Sequence, residues 1–172
     1  MRTARQLVTG GALIAVVLGV LSTQAAELPA PSRRAPAARR PDSVARGRYV
    51  VMMAGCNDCH TAGFAQSGGT TPESEWLTGD TVGWRGPWGT TYPTNLRLLV
   101  QNFSEAGWIA WARTARTAPP MPYWALNAMS ADDLRAMYQF IRSLGPKGEP
   151  APADLPPGQT PTTPHILFPG AK

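Results

Sequence analysis

The clearest periodic pattern lies near the C-terminal end, where apolar residues recur at the spacing of one helix face. They stand at positions i, i+3, i+4 and i+7: Leu134, Met137, Tyr138 and Ile141. This spacing predicts an amphipathic helix. Ser130, with Asp133 three residues later, resembles an N-terminal capping box. Gly145 followed by a proline is a stop signal, so the helix is expected to end there.

Two more helices are predicted upstream, each from a capping residue and an apolar face. Asp42 or Ser43 can cap a helix that reaches Gly55, and Ser104 can cap another. The second helix has three apolar residues on one side: Trp108, Ile109 and Trp111. Residues 61–92 are rich in Gly, Thr and Trp and have no helical period. We therefore predict a small all-α domain of about three to five helices with long loops.

The N-terminal segment has the pattern of a secretory signal peptide. Arg2 and Arg5 precede an uncharged, largely apolar run over residues 7–21, and small residues follow up to Ala26. A membrane anchor is the alternative, but this run is shorter than the roughly 20 residues that span a bilayer. We expect residues 1–25 to be a cleaved signal peptide and the protein to be exported to the periplasm.

Two proline-rich arms flank the predicted domain. Residues 26–41 combine four prolines with four arginines, and residues 147–172 carry seven prolines. Such segments favour extended backbone, so neither arm is expected to form a helix or a sheet. Ile166, Leu167 and Phe168 are apolar enough for the C-terminal tail to dock on the domain. The single predicted domain is residues 42–146.

Charge separates the domain from its arms. Within residues 42–146, eight arginines balance eight carboxylates, so the net charge of +5 comes from the signal peptide and the arms. No basic helical stripe accompanies this charge, which argues against a nucleic-acid partner. The arginines of residues 26–41 would favour an acidic protein or an anionic membrane surface.

Candidate chemistry is concentrated in one pentapeptide, Cys-Asn-Asp-Cys-His. Cys56, Cys59 and His60 match C-x-x-C-H, the attachment site for c-type haem, and the chain has no other cysteine. The motif predicts one covalently attached haem c, with His60 as an iron ligand. A zinc site lacks the four ligands it usually needs. A thioredoxin-like pair lacks a βαβ setting. A simple disulfide would leave the adjacent histidine unexplained.

The sixth iron ligand is expected to be a methionine, because a thioether favours Fe(II). Met121 lies between prolines that hold the backbone extended, and it is the favoured candidate. Met129 precedes the cap Ser130, where it is expected to pack on its own helix. His165, in the C-terminal tail, would give a bis-histidine iron instead.

The order of these features resembles a class I cytochrome c across residues 43–146. Segments 86–96, 120–123 and 129–136 are similar to those of periplasmic cytochromes, and of cytochrome domains, that take electrons from bacterial dehydrogenases. The resemblance implies that Met121 is the distal ligand. It also implies that Gly47 lets the first and last helices cross closely, with Gly47 against the face that bears Tyr138. Multi-domain relatives have three haem motifs, whereas this chain has one.

The expected function is one-electron transfer between redox proteins, among them a dehydrogenase, rather than catalysis. With two axial ligands, the iron would have no open position for a substrate. A second hypothesis is a haem subunit permanently bound to a dehydrogenase or oxidase complex through the proline-rich arms. A third, an enzyme or gas sensor, would need a labile sixth ligand.

Overall fold

The structure, a computed structural model, describes residues 42–171. The predicted signal peptide and the leader at 26–41 lie outside these residues. The described chain contains six α-helices: α1 Ser43–Met53, α2 Cys56–His60, α3 Leu96–Leu99, α4 Glu105–Thr114, α5 Tyr123–Ala128 and α6 Ala131–Leu144. The mostly helical fold is confirmed. The helix count exceeds three to five because α2, α3 and α5 are too short for an apolar period to be visible in the sequence.

The predicted helix starts are confirmed by capping hydrogen bonds, whereas α1 ends at Met53, two residues before the expected Gly55. The Asp42 carboxylate accepts from the Val44 N–H at 3.0 Å and caps α1. Ser104 accepts from the Gly107 N–H at the start of α4. Ser130 caps α6, and Gly145, with φ of 69°, ends it. These local signals therefore fix where the three longest helices begin and where α6 ends.

Helices α1 and α6 cross in close contact at Gly47, as expected, but on a different face of α6. A Cβ at Gly47 would lie 2.0 Å from the Ala136 carbonyl oxygen and 2.7 Å from the Phe140 Cβ. Tyr138 instead donates its hydroxyl to the Phe103 carbonyl. The expectation that Gly47 meets the face bearing Tyr138 was wrong. Positions 136 and 140 are one helical turn apart, whereas position 138 points elsewhere.

The core lies where α1, α4 and α6 meet. Its largest fully buried side chains are Trp108, Phe140, Leu77, Leu134, Ile141, Val51 and Val100. The Trp108 indole N–H donates to the Leu134 carbonyl at 3.0 Å, so burial of this ring leaves no unpaired donor. No helix within residues 42–171 is both long and apolar enough to cross a bilayer.

A small sheet interrupts the segment that was expected to be irregular. Strands β1 Gly83–Gly86 and β2 Gly89–Thr91 form an antiparallel hairpin, and β3 His165–Leu167 pairs with β1 in parallel. The expectation that the C-terminal tail forms no sheet was therefore wrong for β3. The tail does dock on the domain, and the Phe168 ring packs against Trp84 and Trp88 at centroid distances of 5.9 and 5.2 Å.

Candidate haem-binding site

The C-x-x-C-H residues form the five-residue helix α2, directly after α1. The His60 Nδ1 lies 2.7 Å from the carbonyl oxygen of Thr94. Because that oxygen can only accept, Nδ1 carries the proton and Nε2 keeps its lone pair. Burial lowers the pKa of His60, while the hydrogen bond to Thr94 opposes this shift. The result is a neutral imidazole with one nitrogen available to a metal ion.

The two thiols are free and half-buried on the same helix. Burial raises the pKa of the Cys56 thiol to about 11. Burial also raises the pKa of Cys59, and the nearby Asp58 and Asp80 carboxylates add to this effect. Both groups are therefore S–H at neutral pH. They are not joined by a disulfide, and each retains the S–H bond that thioether formation consumes.

A chain of hydrogen bonds connects α2 to the rest of the core. The buried Thr61 hydroxyl donates to the Asn57 side-chain oxygen at 2.8 Å and accepts from the Leu77 N–H at 2.8 Å. The Leu77 carbonyl accepts from the N–H groups of Leu96 and Arg97. Leu77 has a φ of 62°, which is unusual for a bulky side chain and requires support from its surroundings. This network fixes α2 relative to α3.

Gly79 connects His60 to the segment that contains Thr94. Its N–H donates to the His60 carbonyl at 2.8 Å. A Cβ at this position would lie 2.8 Å from the Pro93 carbonyl oxygen and 2.9 Å from the Asn95 nitrogen, and the φ is +81°. Only glycine suits both the conformation and the space. Gly79 therefore lets residues 93–95 approach α2 closely enough for Thr94 to accept from His60.

The candidates for the sixth ligand occupy different environments. Met121 and Met129 are both half-buried and pack against the core, as Cys56 does. His165 is exposed on β3, with its Nδ1 3.2 Å from the Thr163 carbonyl oxygen. Met121 and Met129 are thus alike in burial and packing, and these properties do not decide between them as iron ligand.

Several observations test whether these residues suit haem. In the described part of the chain, no group of three or more His, Cys, Asp or Glu side chains is placed to hold a metal ion, so a zinc cluster is not assembled there. Two buried donors, Trp88 Nε1 and Thr90 Oγ1, have no hydrogen-bond partner among residues 42–171. The free thiols and the His60 lone pair are consistent with haem.

Comparison with known proteins identifies the family. The family model described as cytochrome c matches residues 44–145, which is more than half of the chain. The chain belongs to the cytochrome c family. Members of this family carry covalently bound haem c, and Cys56, Cys59 and His60 fit the attachment motif. Cytochromes c carry electrons rather than transform substrates, so the prediction that this cytochrome is not an enzyme is confirmed.

The curated relatives are cytochrome subunits of dehydrogenases. The fructose dehydrogenase cytochrome subunit of Gluconobacter japonicus is 28% identical over 142 residues, or 76% of this chain and 26% of that protein. The cytochrome c subunit of alcohol dehydrogenase (quinone) from Gluconobacter oxydans is 31% identical over 110 residues, or 57% of this chain and 20% of that protein. The chain thus matches about a quarter or less of each relative's length. No solved structure gave a significant match.

Four positions important to the site had not been singled out in the sequence: Thr61, Leu77, Gly79 and Thr94. Thr94 acts through its backbone carbonyl, which every residue type possesses, so no side-chain pattern could indicate it. Gly79 was one of 17 glycines in the chain. Its role depends on how close residues 93–95 come, which is a tertiary property.

Proposed function

We propose that this chain is an exported, periplasmic cytochrome with a single haem c, and that it carries single electrons between redox proteins. Cys56 and Cys59 would hold the haem, each by adding its S–H across one vinyl group. His60 and Met121 would be the axial ligands. When bound, the haem supplies a one-electron Fe(III)/Fe(II) couple.

The observation that carries this proposal is the hydrogen bond from His60 Nδ1–H to the Thr94 carbonyl. It fixes the ring orientation and leaves the lone pair of Nε2 on the side of the ring away from the Thr94 carbonyl. A ligating histidine typically donates its other ring N–H in this way, because the bond fixes the tautomer and raises the basicity of the ligating nitrogen. The protein's own contribution here is thus the orientation of the ligand.

The test is expression in a host that exports and matures c-type cytochromes, followed by measurement of covalent haem per chain and of the redox titration. We expect one haem per chain and a single one-electron transition. The Cys56→Ser, Cys59→Ser double variant should contain no covalent haem, whereas Ser74→Ala, a change at an exposed position, should contain the normal amount. Haem-free protein from the unmodified chain would refute the proposal.

A second candidate is a haem subunit that is permanently bound to a dehydrogenase. In that complex the dehydrogenase would be the electron donor. The names of the curated relatives, cytochrome subunits of fructose and alcohol dehydrogenases, favour it. Co-purification of a catalytic subunit with the tagged chain, stable to 1 M salt, would support it. Elution as a free monomer with rapid reduction by a separately added dehydrogenase would support a diffusing carrier.

A further inference from the structure

The C-terminal tail, residues 147–171, lies beyond the matched family region, which ends at residue 145. It follows the domain surface and makes hydrogen bonds with the segment between β2 and α3. This segment contains Thr94, whose carbonyl accepts from His60. The tail therefore contacts the backbone that supports the proposed proximal ligand.

The tail holds residues on both sides of Thr94. On one side, the Tyr92 N–H donates to the Asp154 carboxylate at 3.0 Å, and the Tyr92 hydroxyl lies 2.9 Å from the Thr163 hydroxyl. On the other side, the Asn95 amide donates to the carbonyls of Lys147 at 2.8 Å and of Glu149 at 3.1 Å.

The Asn95 side chain is held in place by burial and by a further hydrogen bond. It is 2% exposed, and its side-chain oxygen accepts from the Leu98 N–H to cap α3. Its amide nitrogen therefore meets tail carbonyls from a fixed position. Thr94 lies between Tyr92 and Asn95, which both form hydrogen bonds with the tail. Displacement of the Thr94 carbonyl would therefore require those hydrogen bonds to break or stretch.

The same tail is anchored again on the hairpin that precedes this segment. Thr90 and Leu155 exchange two backbone hydrogen bonds, both of 2.8 Å. Farther along, β3 pairs with β1, and Phe168 packs against two tryptophans of the hairpin region. The first anchor, residues 147–155, touches the neighbours of Thr94. The second, residues 163–168, touches the hairpin and, through the Thr163 hydroxyl, the Tyr92 hydroxyl.

We propose that residues 147–155 of the tail are a positioning element for His60, acting through Tyr92, Asn95 and the Thr94 carbonyl to set the reduction potential. The proposal rests on His60 being the proximal ligand. A firmly held carbonyl strengthens the hydrogen bond from Nδ1–H, which makes the imidazole a stronger donor to iron and favours Fe(III). Release of this segment should weaken the bond and shift the potential to more positive values.

Two truncations separate this role from general stabilisation by the tail. A chain that ends at Pro146 loses both anchors, whereas one that ends at Gly158 keeps the contacts to Tyr92 N–H, Asn95 and Thr90. The potential should shift to more positive values in the first and stay near that of the full chain in the second. NMR of the reduced protein can monitor the exchange of the His60 Nδ1 proton with solvent. This exchange should be about tenfold faster in the chain that ends at Pro146, as expected for loss of one or two hydrogen bonds.

A point variant keeps the test valid if the shorter truncated chain does not fold. Asp154→Ala removes the acceptor for the Tyr92 N–H, and Glu149→Ala is the matched control, because it removes an equal charge from the tail but keeps the backbone carbonyl. Only Asp154→Ala should accelerate exchange of the His60 proton, and its potential should rise above that of the control. Equal potentials and equal exchange in the two variants would overturn the proposal.

The sign of the shift also discriminates between mechanisms. Ile166 of the tail and Cys59 line the same small cavity of about 150 Å³. If the tail acted only by keeping water from the haem, truncation would favour the charged ferric form and move the potential to more negative values, which would refute the positioning role. Failure of the proposed function is a separate result, since it would appear as absence of covalent haem in the full chain.

Discussion

At the scale of single residues, the most specific prediction concerns Met121 as the sixth iron ligand. It lies between two prolines and is half-buried against the core, and the proposed function assigns its sulfur to iron. We expect Met121→Ala to abolish the weak near-infrared sulfur-to-iron band of the ferric protein and to lower the reduction potential, because loss of the thioether disfavours Fe(II). Optical spectroscopy and a redox titration provide the check.

Met129→Ala is the matched control, since Met129 is also half-buried and packs against the same core. It should keep the near-infrared band and lose only packing energy, about 2–3 kcal/mol. The reverse outcome, with the band retained in Met121→Ala and lost in Met129→Ala, would transfer the ligand to Met129. A band kept in both variants would point to another methionine, whereas absence of the band from the unmodified ferric protein would point to a ligand other than methionine, to be examined with His165→Ala.

Gly47 supports a second prediction at this scale. In Gly47→Ala, the new Cβ would lie 2.0 Å from a backbone carbonyl oxygen of α6, which cannot move aside as a flexible side chain could. The two helices must separate, and we expect the free energy of unfolding to fall by about 3 kcal/mol or more. Denaturant titration of the holoprotein measures this change.

The comparison for Gly47 is Gly107→Ala, another glycine within a helix. Its added Cβ would lie 3.2 Å from the Ser104 hydroxyl oxygen, a contact that a small adjustment can relieve. Since alanine favours a helix by up to about 1 kcal/mol over glycine, we expect little change or a slight gain in stability. Equal losses in the two variants would show that the helix crossing is not the cause.

At the scale of elements, Arg97 joins three segments that are distant in sequence. This buried side chain at the start of α3 donates to the Gly145 carbonyl at 2.6 Å, to the Ser74 carbonyl at 2.9 Å, and to the Leu144 carbonyl. Its position at the C-terminal end of α6 also complements the helix dipole. It therefore satisfies carbonyls that α6 cannot pair internally.

We expect Arg97→Gln to lower the free energy of unfolding by about 2–4 kcal/mol, because two or three carbonyls lose a charged donor. Thermal or chemical denaturation measures the loss. Arg113→Gln, at an exposed position in the last turn of α4, is the control and should change stability by less than about 0.5 kcal/mol. A comparable loss of stability in Arg113→Gln would show that the effect comes from the change in net charge and not from the contacts with the carbonyl groups.

At the scale of the whole molecule, haem should be part of the core. The described domain is small, its proposed ligands come from α2 and from the segment before α5, and anything that binds only the folded state stabilises it. The haem-free Cys56→Ser, Cys59→Ser variant should therefore lack a cooperative thermal transition by circular dichroism. Cys59→Ser alone keeps one thioether and should still melt cooperatively at a lower temperature. A native-like melt of the double variant would contradict this expectation.

Local sequence signals predicted the elements whose determinants lie within a few residues of each other. The caps Asp42, Ser104 and Ser130, and the apolar spacing of α6, each depend on contacts within one helix, so the three longest helices could be placed in advance. The motif at Cys56 likewise identified the family's cofactor, because covalent haem attachment requires two thiols and a histidine at fixed spacing.

Tertiary structure alone decided what surrounds that motif. The pairing of β3 with β1 and the hydrogen bond from His60 Nδ1–H to the Thr94 carbonyl join residues far apart in the chain. These interactions use backbone N–H and carbonyl groups, which are the same in almost every residue, so no side-chain period records them. The sequence by itself determined which chemistry this protein is built for, and the packing of distant segments determined how the histidine is held.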